Sequence, residues 1–236
     1  MKTAAPVKRG FTLIELLVVM GIIGLLVMLL MPAVNYAIVV AQGVATGNTI
    51  KRIEAGLAGF YGDFGVYPPS DGQHEAITSD TALLYGYQTL GICLGGPEGT
   101  GWGAGAASNK MPFGGTSTEK FGPYFEGTTT DSYKPAKPIL YFRYEQSEVS
   151  AYDFNDNKDV TKGEDGFFSQ GNLDLLVKRR GSGQYVRRDY VLISAGPDRV
   201  FGYRKGPDAS GNYTFPTSSY EGAYCDDVTN FKYEQY

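Results

Sequence analysis

An unbroken apolar run near the start of the chain is the feature that most limits what this sequence can fold into. Phe11 to Met31 contains a single charged residue, Glu15, and is otherwise almost entirely apolar. As a helix rising ~1.5 Å per residue, this run spans roughly 31 Å, which matches the ~30 Å hydrocarbon core of a bilayer. It is too long for the core of an ordinary signal peptide. We therefore predict a transmembrane helix over residues 11–32.

Basic residues near this helix are concentrated on one side of it. Lys2, Lys8 and Arg9 precede the helix, whereas the next basic residue after it is Lys51. Positively charged flanks stay on the cytoplasmic side of a membrane. We therefore expect a single pass, with the N-terminus in the cytoplasm and the body outside it.

The residues at the start of the run form a specific pattern. A short basic leader, residues 1–10, ends in Gly10, Phe11 follows, and Glu15 is the fifth residue after that junction. This pattern resembles the class III signal of type IV pilins and type II secretion pseudopilins. The resemblance implies that a prepilin peptidase cuts between Gly10 and Phe11 and methylates the new amine of Phe11. It also implies that Glu15 pairs with the N-terminal amine of a neighbouring subunit and that Pro32 loosens the helix during assembly.

Glu15 also has a simpler interpretation. A carboxylate near the end of a membrane helix is tolerated at the interface, but intramembrane acids usually have a counter-charge. An ammonium and a carboxylate attract far more strongly in a low dielectric than in water. Their pairing would therefore favour one axial offset between neighbouring subunits.

The resemblance implies a structural subunit of a pilus-like filament in the bacterial inner membrane. Its partners would be prepilin peptidase, other pilin-like subunits and an inner-membrane assembly platform, and its body would be periplasmic or at the cell surface. A type II secretion pseudopilin is the first interpretation. A major or minor type IV pilin for adhesion, motility or DNA uptake is the alternative, and a membrane-tethered binding module is the third.

The apolar pattern continues beyond the membrane segment. We predict an amphipathic continuation of the helix over residues 33–66, ending before Pro68, because a residue ahead of proline disfavours helical geometry. The stretch from Tyr61 to Pro68 resembles the helix exit of major pseudopilins. Gly43, Gly47, Gly56 and Gly59 weaken this half of the helix. Its buried stripe is predicted to be Ile50, Ile53, Leu57, Phe60 and Phe64, at helical spacing.

The remainder, residues 67–236, is predicted to be a globular α+β domain, with the helix packed on a small antiparallel sheet between long loops. A short helix is predicted from a cap at Thr78, Ser79 or Asp80 to Leu90, stopped by Gly91. The stretch from Gly95 to Gly115 is interpreted as a flexible insertion or a binding loop. In a binding module, Trp102 in this loop and Tyr124 beyond it could stack on sugars. The predicted strands are Pro138–Tyr144, Leu173–Arg179 and Gln184–Ser194, the last two joined as a hairpin at Gly181–Gly183.

Two acidic clusters are candidate calcium sites. Asp198, Asp226, Asp227 and Asn230 resemble the C-terminal calcium loop of major pseudopilins, although Arg199 stands where a glycine is expected. The second cluster has oxygen-bearing side chains at EF-hand-like offsets, but Lys158 replaces the turn glycine, so a polar turn is favoured there. Its members are Asp153, Asn155, Asn157, Asp159 and Glu164.

Other features exclude some functions. Cys93 and Cys225 match no metal spacing and are either a disulfide or small buried residues. Without the leader the chain has 18 basic and 25 acidic residues, a net charge of −7, so nucleic acid is not expected as a partner despite a basic hairpin around Lys178. No enzyme signature is present, and no sequence motif pairs the single histidine, His74, with a nucleophilic residue. Catalysis is therefore not expected.

Overall fold

The computed structural model describes most of the chain and confirms the α+β class. The chain divides into two compact units, residues 1–41 and residues 42–236. The described residues are 11–71, 84–107, 109–145, 151–158, 168–179, 183–185, 189–206 and 223–231. The helices are α1 (Leu13–Phe64), α2 (Gly86–Gly95) and α3 (Gln170–Val177), with 3-10 turns at Pro97–Gly99 and Phe154–Asn157. The strands are β1 (Trp102–Gly103), β2 (Lys120–Phe121), β3 (Leu140–Arg143), β4 (Tyr190–Ser194), β5 (Arg204–Lys205), β6 (Ala223–Tyr224) and β7 (Val228–Thr229).

Helix α1 is continuous over 52 residues and passes through Pro32 without a break. It is long and apolar enough to cross a membrane, and every described residue of the first unit, 11–41, is exposed. An apolar helix surface that no other part of its own unit covers is suited to lipid contact. This geometry is consistent with membrane anchoring.

The second half of α1 buries the predicted stripe. Ile50, Ile53, Leu57 and Phe60 are buried, and Phe64 is partly buried. The helix ends at Phe64, where Gly65 takes φ 70° and its N–H donates to the carbonyl of Tyr61. A left-handed glycine after the last turn is a frequent helix stop. The end ahead of Pro68 is therefore confirmed.

Glycines of α1 serve packing as well as loosening the helix. A Cβ atom on Gly56 would lie 2.9 Å from the carbonyl oxygen of Tyr124, and one on Gly59 would lie 3.1 Å from the Tyr124 ring. The segment carrying Tyr124 and Phe125 therefore approaches the helix backbone at these two positions. Across this contact the Tyr124 hydroxyl donates to Asp63 Oδ2 at 2.6 Å.

The central sheet is buried on both faces. It is antiparallel with the order β3–β4–β7, and Leu140 pairs with Ile193. Because side chains alternate along a strand, Tyr141 and Leu192 face the core formed with α1 and α2, whereas Phe142 faces the core formed with α3. All five residues of β4 are buried. The strand predicted over residues 138–144 is confirmed at β3. The strand predicted over residues 184–194 is confirmed in its last five residues, β4, while residues 186–188 lie outside the described part.

The strand predicted over Leu173–Arg179 is wrong, because this segment contributes to helix α3. Ser169 caps the helix by accepting a hydrogen bond from the N–H of Asn172. Leu173, Leu176 and Val177 are buried at helical spacing. A short apolar run fits either periodicity. The Ser169 cap marks where the helix starts, and burial of its apolar face against the sheet selects the helix. The turn that follows still brings the chain back, since Lys178 forms an isolated bridge with Tyr185.

Helix α2 also differs from its prediction. The proposed caps at Thr78, Ser79 and Asp80 lie outside the described residues, as does His74. The helix begins at Gly86, continues through Gly91 and stops at Gly96, which takes φ 74°. A single glycine inside a helix costs only about 1 kcal/mol, so burial of Leu90, Cys93 and Leu94 outweighs it.

The glycine-rich stretch reaches the core at its strand β1. It contains β1, which pairs with β2, and its Trp102 is 1% exposed and donates from Nε1 to the carbonyl of Cys93. Phe113 packs edge-on against Phe60 and Phe64. The interpretation as a flexible insertion is wrong at β1, because Trp102 is buried there and bonded to α2, whereas most of the described residues after it are exposed. Trp102 is too buried to stack on a sugar.

Candidate functional site

The N-terminal end of α1 carries the candidate assembly site. Gly10 and the rest of the leader lie outside the described residues, and Phe11 is the first residue described, with 81% of its surface exposed. Glu15 sits in the first turn of the helix. An anionic side chain is favoured there by the helix dipole. The fold thus places Glu15 close to the predicted new N-terminus at Phe11.

Thr12 is a residue of this site that the sequence interpretation missed. The backbone N–H of Thr12 donates to Glu15 Oε2 at 3.0 Å, and its hydroxyl donates to the same oxygen at 2.7 Å. The N–H of Glu15 donates back to Thr12 Oγ1 at 3.3 Å. This is a reciprocal capping box, and its signature, a threonine three residues before a glutamate, is visible in the sequence. The carboxylate therefore caps its own helix through one oxygen.

Comparison with known families identifies this end of the chain. Residues 6–31 match the prokaryotic N-terminal methylation motif. The match supports a type IV pilin-like protein in general, and it implies processing by prepilin peptidase and pilin-like assembly. No curated protein and no solved structure matches the chain. The methylation motif covers the start of α1, including the Thr12–Glu15 cap.

The C-terminal acidic residues come together only in part. Asp198 accepts a hydrogen bond from the N–H of Val200 at 2.8 Å, and Asp227, which is 4% exposed, accepts from the N–H of Gly202 at 2.7 Å. Burial, and then the Asp198 carboxylate, raise the pKa of Asp226 to about 7. Burial likewise raises the pKa of Asp227 well above its usual range. Three carboxylates thus share one poorly solvated region.

The side chain of Asn230 forms hydrogen bonds with other residues than these carboxylates. Its Oδ1 accepts from the N–H of Leu192 at 2.9 Å, and its Nδ2 donates to Glu54 Oε1 at 3.2 Å. The amide therefore ties β4 and the last described turn to helix α1. Asn230 is committed to structural contacts, so the predicted four-residue calcium set is not assembled.

The three aspartates do not fit a calcium site either. Arg204 Nε lies 2.7 Å from Asp198 Oδ2, and both side chains are nearly buried. Calcium needs six to eight oxygens at roughly 2.3–2.6 Å, and a guanidinium in contact with a prospective ligand repels it. In the part of the chain that the structure describes, no group of three or more acidic, histidine or cysteine side chains could hold a metal ion.

The second acidic cluster is a polar turn where it is described. Asp153 Oδ1 accepts from the backbone N–H of Asn155 at 2.8 Å, which caps the 3-10 turn. Asn157 is buried and bonds instead to the N–H of Tyr87 and the carbonyl of Tyr141. Asp159 and Glu164 lie outside the described residues. The favoured interpretation as an Asx-rich turn agrees with these bonds.

The two cysteines are not joined by a disulfide in the structure. Cys93 is buried in the core beneath α1, whereas Cys225 packs against the core around α3, so each belongs to a different hydrophobic cluster. The disulfide alternative is therefore not realised here. Cys93 is a small buried residue, as in the other alternative, and Cys225 is partly buried.

The basic hairpin is described only in part. Lys178 pairs with Asp174 at 2.9 Å, one helical turn away, and its Nζ lies 5.0 Å from the Tyr185 ring centre. Arg180, Arg187 and Arg188 lie outside the described residues. Lys178 is thus a structural cation at the end of α3.

A buried carboxylate that sequence reasoning missed joins the helix exit to the sheet. The Ser70 hydroxyl donates to Asp156 Oδ2 at 2.5 Å and accepts from the N–H of Arg143 at 3.0 Å. Burial raises the pKa of Asp156 to about 7, against the lowering effect of the Ser70 hydrogen bond. The nearby carboxylates of Asp153, Glu145 and Asp71 add to the increase.

Asp156 predicts a pH dependence of stability. Because its folded pKa lies above the unfolded value, the native state holds an extra proton between about pH 4 and pH 7, and stability falls as pH rises through that window. Asp156→Asn should remove this loss and gain on the order of 1–4 kcal/mol above neutral pH. Urea unfolding of the detergent-solubilised chain measures it, with the exposed Glu119→Gln as control. Parallel pH profiles for wild type and Asp156→Asn would contradict the assignment.

Proposed function

We propose that this protein is a structural subunit of a pilus-like filament, and specifically a pseudopilin of a type II secretion system. The observation that carries the proposal is the methylation motif at residues 6–31, placed at the head of a 52-residue helix that is apolar enough to cross a membrane. The role is structural rather than catalytic. Before assembly the helix anchors the subunit in the inner membrane, and in the filament it forms the apolar core.

The assembly contact is proposed to use Glu15. Its Oε2 is engaged by Thr12, and its other carboxylate oxygen accepts no hydrogen bond from the described part of the chain. A positively charged N-methylated amine of Phe11 on a neighbouring subunit would bind that oxygen. Each charge is unfavourable alone in a low dielectric, so the contact forms best at one stagger between subunits.

The helix exit supports the pseudopilin over the surface pilin. Tyr67 and Pro68 belong to the stretch that resembles the exit of major pseudopilins, and they join α1 to the sheet. The hydroxyl of Tyr141 donates to the carbonyl of Pro68 at 2.7 Å. The Tyr67 ring packs against the Tyr190 ring, with 5.0 Å between the ring centres. These contacts assign that stretch a structural purpose, namely fixing the direction in which the chain leaves the helix.

Processing is tested by mass spectrometry of the protein purified from a host that has a prepilin peptidase. The expected mature chain begins at Phe11 and carries one methyl group on its amine. A Gly10→Leu variant is the control and should keep its leader, because a bulky residue replaces the small one at the cut. An intact leader on the wild-type chain would rule out the processing step.

Deletion of the gene in its own host tests whether the subunit serves a type II secretion system or a type IV pilus. We expect folded exoproteins to accumulate in the periplasm while surface fibres persist, and wild-type protein should restore secretion. Loss of surface fibres with normal secretion would instead assign the subunit to a type IV pilus for adhesion, motility or DNA uptake.

A further inference from the structure

The turn after β4 and the C-terminal segment are packed directly on each other. Gly196 takes φ 64°, and a Cβ atom there would lie 2.3 Å from the carbonyl oxygen of Asp226. Asp227 anchors the same contact by accepting from the backbone N–H of Gly202, and Asp198 accepts from the N–H of Val200 within the turn itself. Three carboxylates are thereby brought to a place where water cannot solvate them well, which is unfavourable unless a cation is present.

The strand pair β5–β6 positions a cation, Arg204, beside these carboxylates. Arg204 pairs with Tyr224, two residues before Asp226, so the ladder holds the arginine beside the acidic segment. Its Nε lies 2.7 Å from Asp198 Oδ2, with side-chain exposures of 11% and 9%. Its charge also acts against the rise in the pKa of Asp226. Arg204 is therefore the positive partner of the cluster and not a solvated surface residue.

The neighbouring Arg199 has a separate task. It takes φ 68°, the left-handed conformation that favours glycine, yet its Nη1 donates to buried Asp131 at 2.7 Å. Asp131 also accepts from the N–H of Lys137 and the hydroxyl of Ser194. Arg199 thus neutralises a different carboxylate. Arg204 is the arginine that contacts the C-terminal aspartates, and Lys137 adds a second positive charge near Asp198.

We propose that Arg204 is a built-in cation that closes the C-terminal acidic segment of this chain, so that folding of this segment requires the arginine and not calcium. A covalently attached cation is present at every calcium concentration. The C-terminal segment therefore stays closed in media depleted of divalent ions.

The first test adds calcium to the whole chain without its leader, residues 11–236, in detergent. We expect no heat of binding in calorimetry and the same Tm in EDTA as in millimolar calcium. A measurable calcium affinity, or a Tm that rises with calcium, overturns the proposal. This measurement needs no variant and holds even if substitutions prevent folding.

The second test removes the cation. Arg204→Gln should lower the Tm by roughly 6 °C or more, because it leaves buried carboxylates without their partner. Arg143→Gln is the matched control, since Arg143 pairs with half-exposed Glu145 at 3.6 Å and should cost much less. Arg204→Lys keeps the charge and should recover part of the loss. Equal Tm values for Arg204→Gln and Arg143→Gln would overturn the proposal.

A pH profile separates a cation from a mere packing residue. The groups that face Arg204 and Asp198 are Asp226, Asp227 and Lys137. Protonation of the carboxylates in mild acid removes the need for a cation, so the Tm penalty of Arg204→Gln should shrink there and grow in alkaline solution. A penalty that is independent of pH would show that only packing is lost.

Discussion

A Glu15→Val subunit is expected to enter the membrane and lose its leader normally, yet to form filaments at least about tenfold less well than wild type. The valine removes a charge from an apolar helix, so insertion should if anything become easier. Assembly should fail because the neighbour's N-terminal amine then has no carboxylate to meet. Filament yield after mechanical shearing, compared with the membrane-bound pool, measures the two steps separately.

A second substitution distinguishes the charge from the cap. Glu15 closes a capping box with Thr12, and glutamine serves in that motif as well as glutamate. Glu15→Gln should therefore keep the helix start intact while removing the charge. Loss of filaments in both variants supports pairing between subunits. Wild-type yield from Glu15→Gln would show that the cap alone is needed and would refute the pairing role.

Gly86→Ala is expected to destabilise the folded body by about 3 kcal/mol, a large effect for one added methyl group. The Cβ atom would lie 2.3 Å from the carbonyl oxygen of Tyr141, which the β3–β4 ladder holds, and 3.0 Å from the amide of Asn157. Neither neighbour can withdraw easily, because Asn157 also accepts from the N–H of Tyr87 in α2. Urea unfolding of the solubilised chain measures the loss.

Gly91→Ala in the same helix is the matched control. Its nearest neighbour would be Thr129 Oγ1 at 3.6 Å, an ordinary contact. Alanine favours a helix over glycine by up to about 1 kcal/mol, so this variant should be neutral or slightly stabilising. The two variants make the same chemical change with opposite expected signs. A loss of similar size in both would mean that α2 tolerates no alanine and that the close contact at Gly86 is unimportant.

The helix α1 shows what local pattern can predict. Its membrane-length apolar run, its buried stripe from Ile50 to Phe60 and its end before Pro68 all follow from composition and spacing over a few turns. The same holds for β3 and β4, since near-continuous apolar residues between polar segments favour a strand buried on both faces. The capping box at Thr12 was equally readable, because its partners are three residues apart.

The errors fall where distant segments decide the outcome. Leu173–Val177 fits a strand or a helix equally well by itself, and burial of its helical face against the sheet selects α3. The glycine-rich stretch looked flexible because nothing in it indicates that Trp102 is buried and bonded to the carbonyl of Cys93 in α2. Local propensity is a weak guide when packing against another element supplies most of the stabilisation.

By itself, the sequence determined the membrane-length helix, the methylation motif at its head and the α+β class, because these depend on periodicity and on residues that are neighbours along the chain. Only the tertiary structure decided which charges meet at the C-terminus. In the sequence, Asp198, Asp226, Asp227 and Asn230 resembled a calcium loop. The β5–β6 ladder instead places Arg204 beside the aspartates. The physical reason is that a buried carboxylate must be neutralised, while the choice of cation depends on which strand packs beside it.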